Sequence, residues 1–413
     1  MTVAVAFALI GGVILIGFLA NLLFRLSRIP SVLLLIAIGV LLGPGTGWIS
    51  SDSLVAIAPF FGTMALLIIL FEGGLELDIL TVLQQAPKAA ILAVLTYLFS
   101  VVSVATFAFY AVHLSLLNSL LLASILGAAS PAICIPLVSG LSIRSEIKTF
   151  LKLESALGDV LLLLTVLLVL DLQRTGKGDA LDMISGLVMS IAVAFVISSI
   201  AGVLWARLIG WMGKEPLAYM LTLGFVFLLY FVVEELHGSA AIAVLMFGMM
   251  LENTQVIAGH LGERVRLLFG IDVRAEQFVL HQFMKYITEE LSFLIRTFFF
   301  VYLGLLLNFD DLTLRIGVLG LGLVVLLLIS RWLAVQLVKK RSGLTRGETQ
   351  AVMAMLPRGL TAAVMAFLPA QYGLAGVEHI PVYVFVVIVL TNILMTAGVI
   401  FSERRLAGEK AAA

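Results

Sequence analysis

Along the chain, apolar runs of about twenty residues follow one another with only short polar interruptions, and a helix needs about that length to cross the hydrocarbon core of a bilayer. Thirteen segments qualify, at roughly 3–24, 30–49, 54–74, 88–111, 114–139, 148–171, 183–210, 216–235, 239–253, 288–308, 313–338, 349–371 and 380–402. The ninth is short. A polar stretch from Glu252 to Lys285, expected to include a surface helix, separates it from the tenth. The pattern predicts an all-α polytopic membrane protein with one transmembrane domain over residues 1–403 and a short cytoplasmic tail at 404–413. The first segment, Thr2 to Phe24, carries no basic leader and is expected to remain as a helix.

Composition agrees. The 413 residues are 62% hydrophobic and 12% charged, with mean hydropathy +1.18, against about 25% charged in soluble domains. The formal net charge is zero, which gives no whole-chain attraction to nucleic acid. The single cysteine, Cys134, lies in an apolar run; it excludes a disulfide within the chain and is expected to be a packing residue. Charge placement is more telling. With the N-terminus outside, nineteen of the 25 Lys and Arg residues fall on the inner side, from Arg25 and Arg28 to Arg404, Arg405 and Lys410. Only Arg174, Lys177 and Arg315 fall outside, and Arg296, Arg331 and Arg358 lie within segments. That asymmetry predicts an external N-terminus and a cytoplasmic C-terminus.

Two segments carry helix breakers at mid-depth. The fifth reads GAASPAICIP, with Pro131 and Pro136, and the twelfth reads AMLPRGLTAA, with Pro357 and Gly359. Backbone groups freed by such breaks cannot face lipid, so they must be buried or line a water-filled cavity. One break in each half of the chain points to an inverted-repeat carrier with its site at the midplane. The GPGTG of Gly43–Gly47 lies near the end of its segment and is expected to be a simple helix stop.

Charges inside segments cost about 2.5–3.5 kcal/mol each on insertion scales, so each calls for a partner or a function. The sixth segment, LKLESALGDVLLLLTV, is the richest. Ser155 and Asp159 are four apart and share a helical face. Glu154 and Asp159 differ by about 7.5 Å of rise and roughly 140° of rotation, so one can be tied up while the other stays open. Arg358 is expected to pair with Glu154, leaving Asp159 free for ions; the alternative is an Arg358–Asp159 pair, both structural. Glu72, in LFEGGLELD, is expected to form a structural group with Arg331 or Arg296. His113, His237, His260, His281 and His379 fall at loops or ends and show no metal-ligand spacing. The sequence contains no GxxxxGK[ST], HExxH or CxxC, so neither ATP drive, an enzyme activity nor a cofactor is expected.

LFEGGLELD, SPAICIPL, LESALGDV, FFFVYLGLLL and MLPRGLTAA, spread over nearly the whole chain, together resemble the monovalent cation:proton antiporter superfamily, in its sodium/proton exchanger branch of prokaryotic type. The resemblance implies thirteen helices in inverted repeats, two broken helices crossing at the ion site, a homodimer with a dimerisation part and a mobile core, and elevator-like alternating access in a prokaryotic plasma membrane. Carried over, Asp159 matches the ion- and proton-binding aspartate, Ser155 a neighbouring oxygen ligand, and Glu154 with Arg358 a buried ion pair beside the site; Ser130 falls in the unwound part of the fifth segment. Many members have Asn-Asp or Asp-Asp where this chain has Gly158 and Asp159, and Thr-Asp-Pro where it has Ala129, Ser130 and Pro131. With one exchanging carboxylate, the expected cycle is electroneutral: one Na⁺, or K⁺ or Li⁺, for one H⁺. The rival readings are a cation channel, a non-transporting sensor on the carrier fold and an organic-anion symporter. The last is disfavoured by the lack of spare basic residues in the core.

Overall fold

A computed structural model describes residues 3–27, 31–46, 58–75, 77–175, 180–212, 218–253, 275–305, 312–371 and 373–412. Helices run through each predicted segment: α1 (Val3–Ser27), α2 (Ser31–Val40), α3 (Ala58–Leu75), α4 (Ile79–Phe107), α5 (Leu116–Leu126), α6 (Pro131–Ser139), α7 (Ser145–Thr175), α8 (Ala180–Met212), α9 (Ala218–Glu235), α10 (Ala240–Glu252), α11 (Ala275–Leu305), α12 (Leu314–Ser342), α13 (Arg346–Ala354), α14 (Leu360–Gln371) and α15 (Ile380–Ala412). The described residues contain no strand. All-helical architecture follows from the solvent, since in hydrocarbon a helix satisfies its own backbone. Among the described residues, six stretches are long and apolar enough to cross a membrane, and five further apolar helices are shorter. The chain is therefore a multi-pass membrane protein.

Local signals set several boundaries. Ser115, Ser239 and Thr313 accept the N–H groups of Asn118, Ile242 and Ile316 at the starts of α5, α10 and α12. Thr345 and Glu348 form a reciprocal capping box at α13. The predicted stop after α2 takes the form of a π-helical turn over Leu41–Gly45; Gly47 lies outside the described residues. So do residues 254–274, most of the predicted surface helix, while 275–285 belong to the long α11. Helix α15 continues to Ala412 through most of the predicted tail. The structure also corrects one basic residue: Lys152, counted among inner loop charges, is buried within α7.

The chain divides into two compact units. One comprises residues 66–86 and 178–293, with α8, α9 and α10 packed on one another. Its core holds a run of rings, Trp205–Phe225–Phe247–Phe71, with successive centroids 4.0, 5.2 and 5.9 Å apart. Buried Asn253 closes the end of α10 by donating to Leu77 O and Met249 O at 2.7 Å each.

The other unit comprises residues 1–65, 87–177 and 294–413. Here α7 packs on α5, α6 and α14, and α15 packs on α12, α13, α14 and α5. At one end of this unit the last turns of α15 are fastened to the loop before α7 and to the first turn of α13. Glu403 accepts the N–H and Oγ of Ser142 at 2.8 Å each, and Glu409 accepts the N–H of Gly347 at 3.0 Å. Arg144 donates to both oxygens of Glu348 at 2.6 and 2.7 Å.

Candidate functional site

Both predicted breaks are real and both lie in the larger unit. The first separates α5 from α6, with Ser130 extended (φ −78°, ψ 119°) and Pro131 at the first helical position, where a missing N–H costs nothing. The second separates α13 from α14 over residues 355–359. The breaks cross: Ser130 N–H donates to Pro357 O at 2.8 Å. Gly359 permits this approach, since a Cβ there would lie 2.7 Å from both Ser130 Oγ and Ile133 Cδ1.

Four half-helix ends meet in this region, and the side chains follow the dipoles. Arg358, fully buried, donates to Leu126 O (2.7 Å) and Gly127 O (3.3 Å) at the C-terminal end of α5, and to Leu356 O (2.7 Å) just past the end of α13. A guanidinium at two carbonyl ends is the favourable sense of the helix dipole. Asp159, on α7 and 2% exposed, lies instead by the N-terminal end of α14, where Thr361 in the first turn donates to its Oδ2 at 3.0 Å.

The expected Glu154–Arg358 pair does not form. Glu154 pairs with Arg331 of α12, which donates to its two oxygens at 2.6 and 3.2 Å, both side chains being buried. Arg331 also donates to Val352 O on α13 at 2.8 and 3.1 Å and to Thr96 on α4 at 3.5 Å. The physical reason is geometric: carbonyls released by the breaks already satisfy Arg358, and α12 delivers a second guanidinium to Glu154. This also removes Arg331 from the expected group with Glu72. Glu72 accepts a hydrogen bond from Ser292 within the smaller unit. Arg296 belongs to the larger unit, and its Nη1 is buried without a hydrogen-bond partner among the described residues.

With both arginines so placed, no cationic side chain lies within salt-bridge distance of Asp159 among the described residues. Ser155, one turn earlier on α7, is fully buried and turns its hydroxyl onto Lys152 O at 3.0 Å. Ser130 Oγ is buried with no hydrogen-bond partner among the described residues, which fits an oxygen available to a ligand. Gly158 faces the first break: a Cβ there would sit 3.3 Å from Ala128 Cβ, so a larger residue would press on the break. The described residues contain no cluster of His, Cys, Asp and Glu able to hold a metal ion. The arrangement offers one buried carboxylate, neutral hydroxyls and freed backbone, a donor set suited to a hard monovalent cation or a proton.

Thr361 escaped the sequence reading although it stands in AMLPRGLTAA, three residues after Arg358. So did Thr391 and Asn392, a polar pair within an otherwise apolar segment, whose buried side chains hold the Arg358 backbone.

Comparison with known proteins agrees with this fold. The family described as "Sodium/hydrogen exchanger, transmembrane" matches residues 12–401. Na(+)/H(+) antiporter 1 of Methanocaldococcus jannaschii is 25% identical over 308 residues, 74% of this chain and 69% of that protein. Two structures of the sodium proton antiporter MjNhaP1 from the same organism superpose on the chain at 21% identity. One, at pH 8, gives a TM-score of 0.73 and covers 97% of this chain and 96% of the other. The second, from electron microscopy, gives 0.79 and covers 99% of each.

Proposed function

Because the chain belongs to the sodium/hydrogen exchanger family, we propose that it exchanges sodium for protons, one for one, on the carboxylate of Asp159. Cation/proton exchange is the activity of the family; the choice of ion, the stoichiometry and the residues are the present reading. The observation that carries it is the company Asp159 keeps: a buried carboxylate with a threonine hydroxyl on one oxygen, while both neighbouring guanidinium groups are satisfied elsewhere.

Two positive species then compete for one site. A bare carboxylate binds a partly dehydrated cation with help from Ser155, Ser130, backbone carbonyls near the breaks and water. A protonated one cannot hold the cation. If the core crosses the membrane only when Asp159 carries one or the other, leak is suppressed and the two gradients are coupled. The core around α5–α7 and α13–α14 moves in an elevator-like cycle, and a homodimer in a prokaryotic plasma membrane supplies the fixed frame. The C-terminus is cytoplasmic, as the basic residues indicate. Such an exchanger serves pH homeostasis.

The test is proton flux in proteoliposomes, followed with a pH-sensitive dye. Asp159→Asn is expected to abolish flux driven by sodium. Wild-type flux in that variant would refute the assignment. Repeating the wild-type assay with lithium and potassium, with the membrane potential clamped at different values, reads selectivity and charge balance. A final pH gradient that changes with the clamped potential would rule out one-for-one exchange.

A further inference from the structure

We infer that Thr391 and Asn392 on α15 are positioning residues for the ion site: they clamp the backbone of Arg358, set the register of the first turn of α14, and thereby place the Thr361 hydroxyl on Asp159. The inference rests on the reading of Asp159 as the exchanging carboxylate and adds two residues that touch neither ion.

The clamp grips both faces of one peptide residue. Thr391 Oγ1 accepts the Arg358 N–H at 3.1 Å, and Asn392 Nδ2 donates to Arg358 O at 3.0 Å. Each side chain is braced by its own helix. The Thr391 hydroxyl donates to Val387 O (2.7 Å) and Ile388 O (3.1 Å), and Asn392 Nδ2 also donates to Ile388 O (2.7 Å). Both acceptors of the Asn392 amide are carbonyls, so its nitrogen must face them; this fixes its orientation. Both residues are fully buried. Asn392 Oδ1 is buried with no hydrogen-bond partner among the described residues, a cost the position carries in order to keep its donor aimed at Arg358.

From the clamp to the carboxylate the path is short and stiff. Gly359 O accepts the Ala363 N–H at 2.9 Å, so α14 starts directly after the clamped residue. Thr361 lies three residues past Arg358 and donates to Asp159 Oδ2. A break in a helix leaves its backbone free to slide; here a neighbouring helix supplies the donor and the acceptor that a continuous helix would have supplied. Loss of the clamp lets the first turn of α14 shift, and the Thr361 hydroxyl is then no longer held on Asp159 Oδ2.

The test is sodium-driven proton flux by the full-length carrier in proteoliposomes, with KM for sodium, maximal rate and pH profile measured for each variant. Thr391→Val and Asn392→Ala are each expected to raise KM about tenfold, the size of a lost hydrogen bond to a charged group. The rate-against-pH profile is expected to move, with the maximal rate at saturating sodium nearly kept. Thr391→Ser, which keeps the hydroxyl, is expected to keep the wild-type KM. In a Thr361→Val background the same two substitutions are expected to add little. Wild-type KM and pH profile in folded Thr391→Val would overturn the proposal, as would an undiminished effect without the Thr361 hydroxyl. If neither Thr391→Val nor Asn392→Ala yields folded protein while Thr391→Ser does, the pair serves folding alone and the proposal fails. Persistent exchange in Asp159→Asn would instead sink the assignment of the ion site.

Discussion

Two arginines are buried without solvent contact in the larger unit, and they are neutralised by different means. Arg331 faces a carboxylate, Glu154, with backbone oxygen of Val352 as a supplement. Arg358 faces no carboxylate within salt-bridge distance among the described residues; three carbonyls at the ends of two half-helices surround it. A buried cation therefore does not require a buried anion. Broken helices release oriented carbonyls, and several of them with their dipoles do the same work.

The sharpest way to break this contrast is to remove the carboxylate. Glu154→Gln leaves Arg331 buried with its charge uncompensated, a loss of about 3–5 kcal/mol by analogy with broken buried pairs. It should appear as a large drop in thermal midpoint in detergent. Exchanging both partners for apolar residues of similar size is expected to recover most of it. A near-wild-type midpoint for Glu154→Gln alone would mean that the pair is not what holds Arg331. Next in size is Arg358→Lys, expected to cost about 2 kcal/mol, because a single ammonium cannot serve three carbonyls held in a planar fork's geometry. Double-mutant cycles on melting should give a larger coupling for Glu154 with Arg331 than for Glu154 with Arg358. The reverse ranking would restore the pairing expected from sequence.

The sequence located the helices and both breaks because apolar length and proline leave local marks. It singled out Asp159 for the same reason, as a charge in an apolar run. It could not choose between two arginines for Glu154, since that choice depends on which distant helix passes beside α7. The expectation for Arg358 also assumed that only a carboxylate neutralises a guanidinium, and so overlooked what the break itself provides. Thr361 and the Thr391–Asn392 pair are uncharged, and an isolated hydroxyl or amide in a membrane segment gives no sign of its target. Their one visible mark was polarity inside apolar runs.

The smallest effect lies away from these groups, in the half-exposed Arg144–Glu348 bridge. Burial pushes the Glu348 carboxyl up, but the hydrogen bonds from Arg144 and the Thr345 backbone outweigh it and hold the group below the usual glutamate range. A lowered carboxyl stabilises the fold above its unfolded value and loses that contribution as pH falls through the folded one. Glu348→Gln is therefore expected to cost about 1 kcal/mol at neutral pH, the value of a cap. The melting gap to wild type should close below about pH 4. A gap that persists in acid would show that the charge of Glu348 is not responsible. Because Arg144 is half in solvent, added salt should narrow the gap as well.

The guanidinium of Arg358 is matched by dipoles rather than by an opposite ion, so in the proposed elevator-like cycle it is a whole elementary charge fixed in the part that would carry the cargo. In a one-for-one cycle that charge travels out with one passenger and back with the other. Its electrical work over a full turn is zero. Voltage across the bilayer can thus favour one facing of the carrier and speed or slow turnover, while the ion gradients at rest stay where chemistry alone puts them.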